Sequence, residues 1–466
     1  MKKALITALF LAFLGQINAQ TSSTSTVPNA PNAYILTPPS PATPRINGPK
    51  VFGVRPGSLF LYSIPVTGER PMKFEVISLP SGLKLDAESG RITGILKKSG
   101  TYKVTLQASN KKGKAKKLFR IVVGDQIQLT PAMGWNSWNC WGAEVSQENV
   151  LSSARAFVEK GLSNHGWSFV NIDDGWQGMR SGKYNGILGN SKFPNMKALA
   201  DSIHGMGLKF GIYSTPWRGS YLGHIGSYSD NEDGSYDWIK AGNHNQYYKI
   251  GPTNDSIRKI MRQKNLRFGR YSFVKNDVKQ WVDWGVDYLK YDWYINDTSH
   301  VAEMSKVLQS QSRDVVFSLS NKAPFEGAAS WAKLSNCWRI TGDINDSWKS
   351  MTSKGFGQDK WAPFCSPGHF NDPDMLVVGY VGWGTPHPTK LTPDEQYTHI
   401  SLWCLLSAPL LIGCDLSRID DFTLSLLTND EVLEIDQDAL CKQGVRVDSQ
   451  PDLDVFIKPL EDGSLA

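Results

Sequence analysis

The sequence predicts an α/β protein: a (β/α)8 barrel preceded by a small all-β Ig-like sandwich. Three observations point there. Residues 46–126 carry short segments in which apolar and polar residues alternate, as in half-buried strands. From Thr130 onward, short apolar runs that end in polar residues alternate with amphipathic helical stretches. Eight such runs occur over about 300 residues, which fits a closed barrel better than an open sheet.

The elements follow in chain order. Lys2 and Lys3 precede an apolar run from Ala4 to Leu14, and small Ala19 follows. Residues 1–20 read as an export signal cut near Ala19, so a periplasmic or secreted protein is expected. The run is too short for a membrane span, and no later stretch reaches that length. Residues 21–45, rich in Ser, Thr, Pro and Ala, read as a flexible linker. The alternating segments SLFLYSIPV, KFEVISL, GRITGIL, GTYKVTLQASN and KLFRIVVGD make the sandwich. Its lysines 111, 112, 114, 116 and 117 read as a solvated hairpin.

The barrel, residues 128–438, takes its strands from AMGWNSW, SFVNIDDGW, LKFGIYS, VDYLKYDW, VVFSLSN, CWRITGD, HFNDPDMLVVG and PLLIGC. Helix candidates between them include 146–161, 195–206, 274–284 and 394–406. One connection, between Tyr213 and Val274, is too long for a simple turn and should overhang the face where barrels place their catalytic groups. Its basic stretch, 258–270, reads as a solvated helix and loop.

Composition narrows the function. Fifty Lys+Arg against 44 Asp+Glu give a net charge of +6 over 466 residues, too dilute for a charge-driven nucleic-acid binder. Six cysteines form no Cys-x-x-Cys pair. Cys404 and Cys414 read as buried thiols, and a bridge between two of the others stays open. Acidic residues gather at predicted strand ends: Asp173, Asp174, Asp292, Asp343, Asp372 and Asp374. Converging carboxylates suit metal-assisted catalysis or glycoside hydrolysis by a carboxylate pair. Histidines number only eight, with no His-x-His or His-Glu-x-x-His, so the second chemistry is favoured and no metal or cofactor is expected.

AMGWNSWN, NIDDGWQ, GIYSTP, DYLKYDW, WRITGDI, HFNDPDML and SAPLLIGCDL, in that order over about residues 130–440, resemble glycoside hydrolase family 27, the α-galactosidases and α-N-acetylgalactosaminidases. LPSGLKLDAESGRITGIL and the segment after it resemble the cadherin-like Ig modules appended to bacterial secreted enzymes. The first resemblance implies a barrel followed by a small β-sandwich, here expected from 439 and cut short at 466. It also implies removal of terminal α-linked galactose with retention, on a carbohydrate substrate. α-N-Acetylgalactosaminidase activity and a non-catalytic carbohydrate-binding relative are the alternatives. Nothing in the sequence decides for or against a homo-oligomer.

Residue by residue, the resemblance assigns Asp292 as nucleophile and Asp343 as acid/base. Asp346 is the nearest rival for the acid. Lys290, two residues before Asp292, should share its side of the strand and favour its ionised form. Arg339 is implied as a sugar ligand that orients carboxylates, Asp173 and Asp174 as acceptors for sugar hydroxyls, and Trp135 as an aromatic wall. Tyr213 and Met375 match further pocket positions. Asn371, Asp372 and Asp374 are expected chiefly to hold the end of the seventh strand. Relatives often carry a bridged Cys after the nucleophile. Here Trp293 and Tyr294 stand there, so packing must hold that loop. After the fifth strand the usual acid is replaced. Ser320 and Ala323 occur with the Ser-x-x-Ala spacing of relatives that accept N-acetylgalactosamine.

Overall fold

The computed structural model describes residues 34–236, 259 and 262–466. The export signal and most of the linker lie outside the described residues. The end of the linker is tied down rather than loose. The Tyr397 hydroxyl donates to the Tyr34 carbonyl (2.6 Å) and accepts the Leu36 N–H (2.9 Å). Thr37 donates to the Ser425 carbonyl at 2.7 Å.

Two sheets make the N-terminal sandwich. One has four strands in the order Val51–Val54, Gly113–Val123, Gly100–Asn110, Lys73–Ile77. The other has three, in the order Leu59–Ser63, Arg91–Ile95, Leu83–Leu85. Alternate residues such as Phe60, Ile92, Leu106 and Ile121 fill the space between, fully buried, as two packed faces require. The lysine hairpin departs from expectation at Lys117. Its ammonium turns inward to the carbonyls of Gly48 (2.5 Å) and Asn47 (3.2 Å). Burial lowers its pKa to about 8.

The eight expected runs are the eight barrel strands. They are β1 (Met133–Asn136), β2 (Phe169–Asn171), β3 (Lys209–Ser214), β4 (Tyr288–Asp292), β5 (Val316–Ser320), β6 (Cys337–Arg339), β7 (Phe370–Asp372) and β8 (Leu410–Ile412). Neighbours run parallel from β8 through β1 to β7. The ring closes just beyond β7, where Leu376 pairs with Ile412. The Leu376 N–H donates to Leu411 (2.8 Å), and the Gly413 N–H donates to Leu376 (2.9 Å). Polar residues stop and start the helices between strands. Ser146, Asn195, Asp297 and Ser347 each cap a helix N-terminus, and Thr392 with Glu395 forms a capping box. All six cysteines are buried free thiols, so none of the open pairings forms.

The sandwich grips the bottom of the barrel. Arg55 follows the first strand of the four-stranded sheet. Its guanidinium donates to Asp314 (2.6 Å) and to the carbonyls of Gln309 (2.5 Å) and Arg313 (2.7 Å), while its backbone N–H reaches Asp314 (2.9 Å). The helix Thr298–Gln309, which follows β4, therefore ends on a cation that satisfies its orphan carbonyls and complements its dipole. Nearby, the Lys209 ammonium lies between the rings of Phe52 (4.7 Å) and Phe169 (5.0 Å), one from each domain.

Arg55→Ala leaves Asp314 and those carbonyls without their cation. We expect the barrel's thermal transition to fall by roughly 5 °C, from a loss of about 2 kcal/mol. Differential scanning calorimetry checks this, and an unchanged transition would show that the two domains are not energetically joined here.

Candidate active site

Period-2 alternation sorts the lumen into layers. Phe169, Tyr288, Val316, Cys337 and Phe370 form an apolar lower layer. Above it lie Asn136, Lys290, Ser318, Arg339 and Asp372, around a cavity also lined by Ser320, Asp374, Met375 and Leu411. Gly211 on β3 leaves room for a side chain from β2: a Cβ there would stand 2.0 Å from the Asn171 amide oxygen. The polar layer is nearest the C-terminal ends of the strands, where the loops converge.

Asp292 ends β4 and is buried. One carboxylate oxygen accepts the Tyr213 hydroxyl at 3.1 Å. The other has no hydrogen-bond partner among the described residues. Lys290 shares this side of the strand and donates to Asp173 at 2.8 Å. Burial raises the Asp292 pKa to about 6, and the Lys290 charge only partly offsets that. The loop beyond is held without a disulfide. The Trp293 N–H donates to the Ser320 carbonyl (3.0 Å), and the Asn296 amide reaches both that carbonyl (3.0 Å) and that of Trp293 (2.8 Å).

Arg339 ends β6 and joins two acids. It pairs with Asp374 at 2.8 Å and with Asp343 at 3.2 Å. The Asp343 side chain is 65% exposed, so a group entering from solvent meets it first. Burial acts to raise the Asp343 pKa, but Arg339 and Lys290 outweigh it and hold the carboxyl below the usual range. Asp374 is pushed up to about 6 by burial. These side chains hold Asp292 more readily protonated than Asp343, the opposite of the expected order. Asp346 is engaged elsewhere: it is buried, accepts the Lys390 N–H at 3.0 Å and lies beside His387.

Other expected residues divide. Met375 and Ser320 line the cavity. Asp372 and Asp374 line it too, while also shaping the turn after β7, where the Asp374 N–H donates to Asp372 at 2.8 Å. Asn371 is purely structural, bonding the Trp361 carbonyl (2.8 Å) and Gln443 (2.7 Å).

Three residues sit differently from expectation. Asp174, just past the end of β2, is taken up by the long excursion. Its oxygens accept the Leu222 N–H (2.9 Å) and the Gln177 amide (3.1 Å), anchoring the long excursion, and burial raises its pKa to about 7. Ala323 is buried in the core between strands and helices and does not line the cavity. Trp135 is fully buried in that same core, with its indole N–H on the Cys414 carbonyl (2.8 Å). Gly134 and Asn136 are the inward residues of β1, so Trp135 must face out. Trp138, three residues on, is half-buried against the cluster holding Met375 and Leu411, and is the better placed of the two to offer an aromatic wall. Counting alternation from Asn136 would have separated the two tryptophans.

The sequence reading also missed Tyr221. It lies in the excursion, edge-on to Trp217 (5.5 Å), where the charges of both Asp292 and Asp343 act on it. No periodic signal marks a residue that reaches the site from so long a loop.

Comparison with known proteins agrees with this fold. The family model "Alpha galactosidase A" matches residues 130–244 and 243–438. "Putative Ig domain" matches residues 16–124. The chain is 36% identical over 348 residues to alpha-galactosidase 2 of Arabidopsis thaliana, covering 73% of this chain and 75% of that one. It is 38% identical over 348 residues to the alpha-galactosidase of Coffea arabica, covering 73% and 79%. A crystal structure from Bacteroides fragilis, titled a "putative alpha-galactosidase/melibiase", superposes with a TM-score of 0.78 at 34% identity, over 91% of this chain and 85% of that one.

The two tryptophans separate experimentally. Trp138→Ala should weaken binding of a monosaccharide ligand about tenfold, through loss of an apolar face. Trp135→Phe should lower the melting temperature with little effect on affinity. Calorimetric titration and thermal unfolding of both variants check the assignment; equal binding losses would put Trp135 back at the pocket.

Proposed function

The chain belongs to the alpha galactosidase A family, and from that membership and the pocket geometry we propose that it is a retaining exo-glycosidase that releases terminal α-linked galactose. The observation that carries this reading is the asymmetry of Asp292. One oxygen is held by Tyr213 while the other is unpartnered, beneath the exposed Asp343. A nucleophilic carboxylate needs that free lone pair.

The steps follow from the side chains. Asp343 transfers its proton to the glycosidic oxygen as the free oxygen of Asp292 attacks the anomeric carbon. The leaving alcohol departs, and a galactosyl ester forms on Asp292. Asp343, now ionised, takes a proton from water. The resulting hydroxide attacks the same carbon and frees Asp292. Sugar and leaving group covering Asp343 remove it from water, which raises its pKa toward the protonated form it needs. A non-catalytic binding role would not call for a free nucleophile oxygen beside a second, exposed acid. The basic, apolar leader at residues 2–14 supports export from the cytoplasm.

A second reading, α-N-acetylgalactosaminidase, is favoured by one observation. Ser320, small and buried, lines the cavity where an acid would crowd a 2-acetamido group. Ala323 lends no support, since it faces the core.

The direct test is turnover of nitrophenyl α-galactoside and its N-acetyl analogue. We expect the galactoside to be cleaved, with Asp292→Asn inactive and azide restoring turnover with an inverted product. Near-normal activity in that variant would overturn the nucleophile assignment, and a clear preference for the acetamido sugar would favour the second reading.

The pH profile has a definite sign. Attack requires a proton on Asp343 and none on Asp292, one proton on the pair in total. With Asp292 at about 6 and Asp343 below the usual carboxylate range, the pair carries one proton only below about pH 6. So kcat/KM should be greatest on the acid side and fall about tenfold per pH unit above pH 6. A flat profile to pH 8 would show that the pair does not share its proton this way.

A further inference from the structure

The sandwich and the bottom of the barrel enclose a cavity of about 70 Å³, where β1, β2 and β3 begin and at the end opposite Asp292. One water needs roughly 10–15 Å³, so this space has room for a small molecule. Its wall is mainly apolar. Pro49, Phe52 and Tyr62 of the sandwich meet Met133, Trp167 and Phe169 of the barrel.

Two polar groups of this wall have no partner among the described residues. The Tyr62 hydroxyl belongs to a side chain only 8% exposed, and nothing accepts from it or donates to it. The Lys209 ammonium makes no hydrogen bond or ion pair there either. It stands 4.7 Å from the centre of the Phe52 ring and 5.0 Å from that of Phe169. The Tyr62 and Phe52 rings lie 5.3 Å apart, so hydroxyl, aromatic wall and ammonium bound one space. Other polar side chains of the wall are committed. Ser63 donates to the Gly207 carbonyl (3.0 Å), Gln128 to that of Thr130 (3.0 Å), and the Thr130 hydroxyl to Gln437 (2.9 Å). The Trp167 indole N–H is on the Leu427 carbonyl at 2.7 Å.

Charge balance leaves Lys209 unmatched. Asp287 and Asp314 share a smaller neighbouring cavity with it. Each is held at 2.6 Å by an arginine, Asp287 by Arg313 and Asp314 by Arg55. Two acids against two arginines cancel, and the ammonium remains. A buried hydroxyl and an ammonium without acceptors both cost stability, and one ligand that offers acceptors to both removes that cost. We propose that this interdomain cavity binds a small carboxylate with an apolar body, its oxygens accepting from Lys209 and Tyr62 and its body lying against Phe52, Trp167 and Phe169. A neutral ligand leaves the ammonium uncompensated, and an inorganic anion leaves the aromatic wall without a contact. The inference does not depend on the galactosidase reading. Because the wall comes from both domains, an occupant favours their docked, folded state.

The test adds benzoate, butyrate, benzyl alcohol or inorganic phosphate to the full chain at millimolar concentration. Differential scanning calorimetry follows the melting transition, and calorimetric titration gives the affinity. We expect at least one carboxylate to raise the transition by about 3–5 °C, and benzyl alcohol and phosphate to leave it in place. Tyr62→Phe should leave the unliganded transition unchanged or higher, since it removes an orphan hydroxyl, and should weaken the carboxylate about tenfold. Lys209→Met keeps the apolar stem and should abolish the difference between benzoate and benzyl alcohol. A larger shift with benzoate identifies an aromatic body, and a larger shift with butyrate an aliphatic one. No shift with either carboxylate would overturn the proposal and leave the cavity to water. So would an equal shift with benzyl alcohol or phosphate, or carboxylate affinities unchanged in both variants.

Discussion

The constraint on which this site depends is charge compensation in a small buried volume. Asp173, Asp292, Asp372 and Asp374 are all buried at the top of one barrel, and among the described residues Lys290 and Arg339 are the cations paired with acids there. Ionising every acid there would cost several kcal/mol per unpaired charge. The structure avoids this by unequal sharing. Lys290 is committed to Asp173, and Arg339 to Asp343 and Asp374, so Asp292 is left with Tyr213 and a raised pKa. The nucleophile role proposed for Asp292 fits what it lacks: among the described residues no donor blocks its second oxygen, and the tyrosine that orients it adds no charge.

That arrangement was only partly legible in the sequence. The barrel was readable because each strand is an apolar run with a polar C-terminal end, and because Ser, Asn, Asp and Thr mark the helix starts. Asp292, Lys290 and Arg339 could be placed by strand position, since alternation sets which side they face. The same rule, applied to β1, puts Trp135 outside and leaves the wall to Trp138, so that error was one of matching rather than of missing information. Asp174 and Ala323 were harder. Each lies just past a strand end, where the turn and not the pleat sets direction, and their neighbours along the chain do not reveal the loop that receives them. Tyr221 was out of reach for the same reason in stronger form, because its placement is set by loop contacts, its ring against Trp217 and the next residue's N–H on Asp174.

The N-terminal domain illustrates another limit of pattern reading. Its strands were visible from alternation, yet nothing in that alternation shows what the domain does to the barrel. Arg55 lies in a turn, where a lone arginine usually means a solvated side chain. Here it ends a helix from the other domain and bonds the acid that leads into β5. The linkage is indirect but physical. β4 carries Asp292 at its far end and feeds that helix, and β5 carries Ser320 at its own. Fixing the turn between them at the bottom limits how far the two strands can slide at the top.

An acidic floor beneath an exposed acid also orders the events of the proposed reaction. The neutral sugar enters a pocket whose acids accept hydrogen bonds from hydroxyls, with half-buried Trp138 beside it. Asp343 lies at the mouth, exposed before binding and, in that reaction, covered after it. Its pKa is therefore the one most altered by occupancy, since water is lost there and Arg339 is retained. The groups deeper in the barrel are buried in either state and change little. In the proposed reaction the proton needed by the leaving oxygen is thus gained at the carboxyl whose surroundings the substrate itself transforms, which would couple protonation of Asp343 to a correctly seated leaving group.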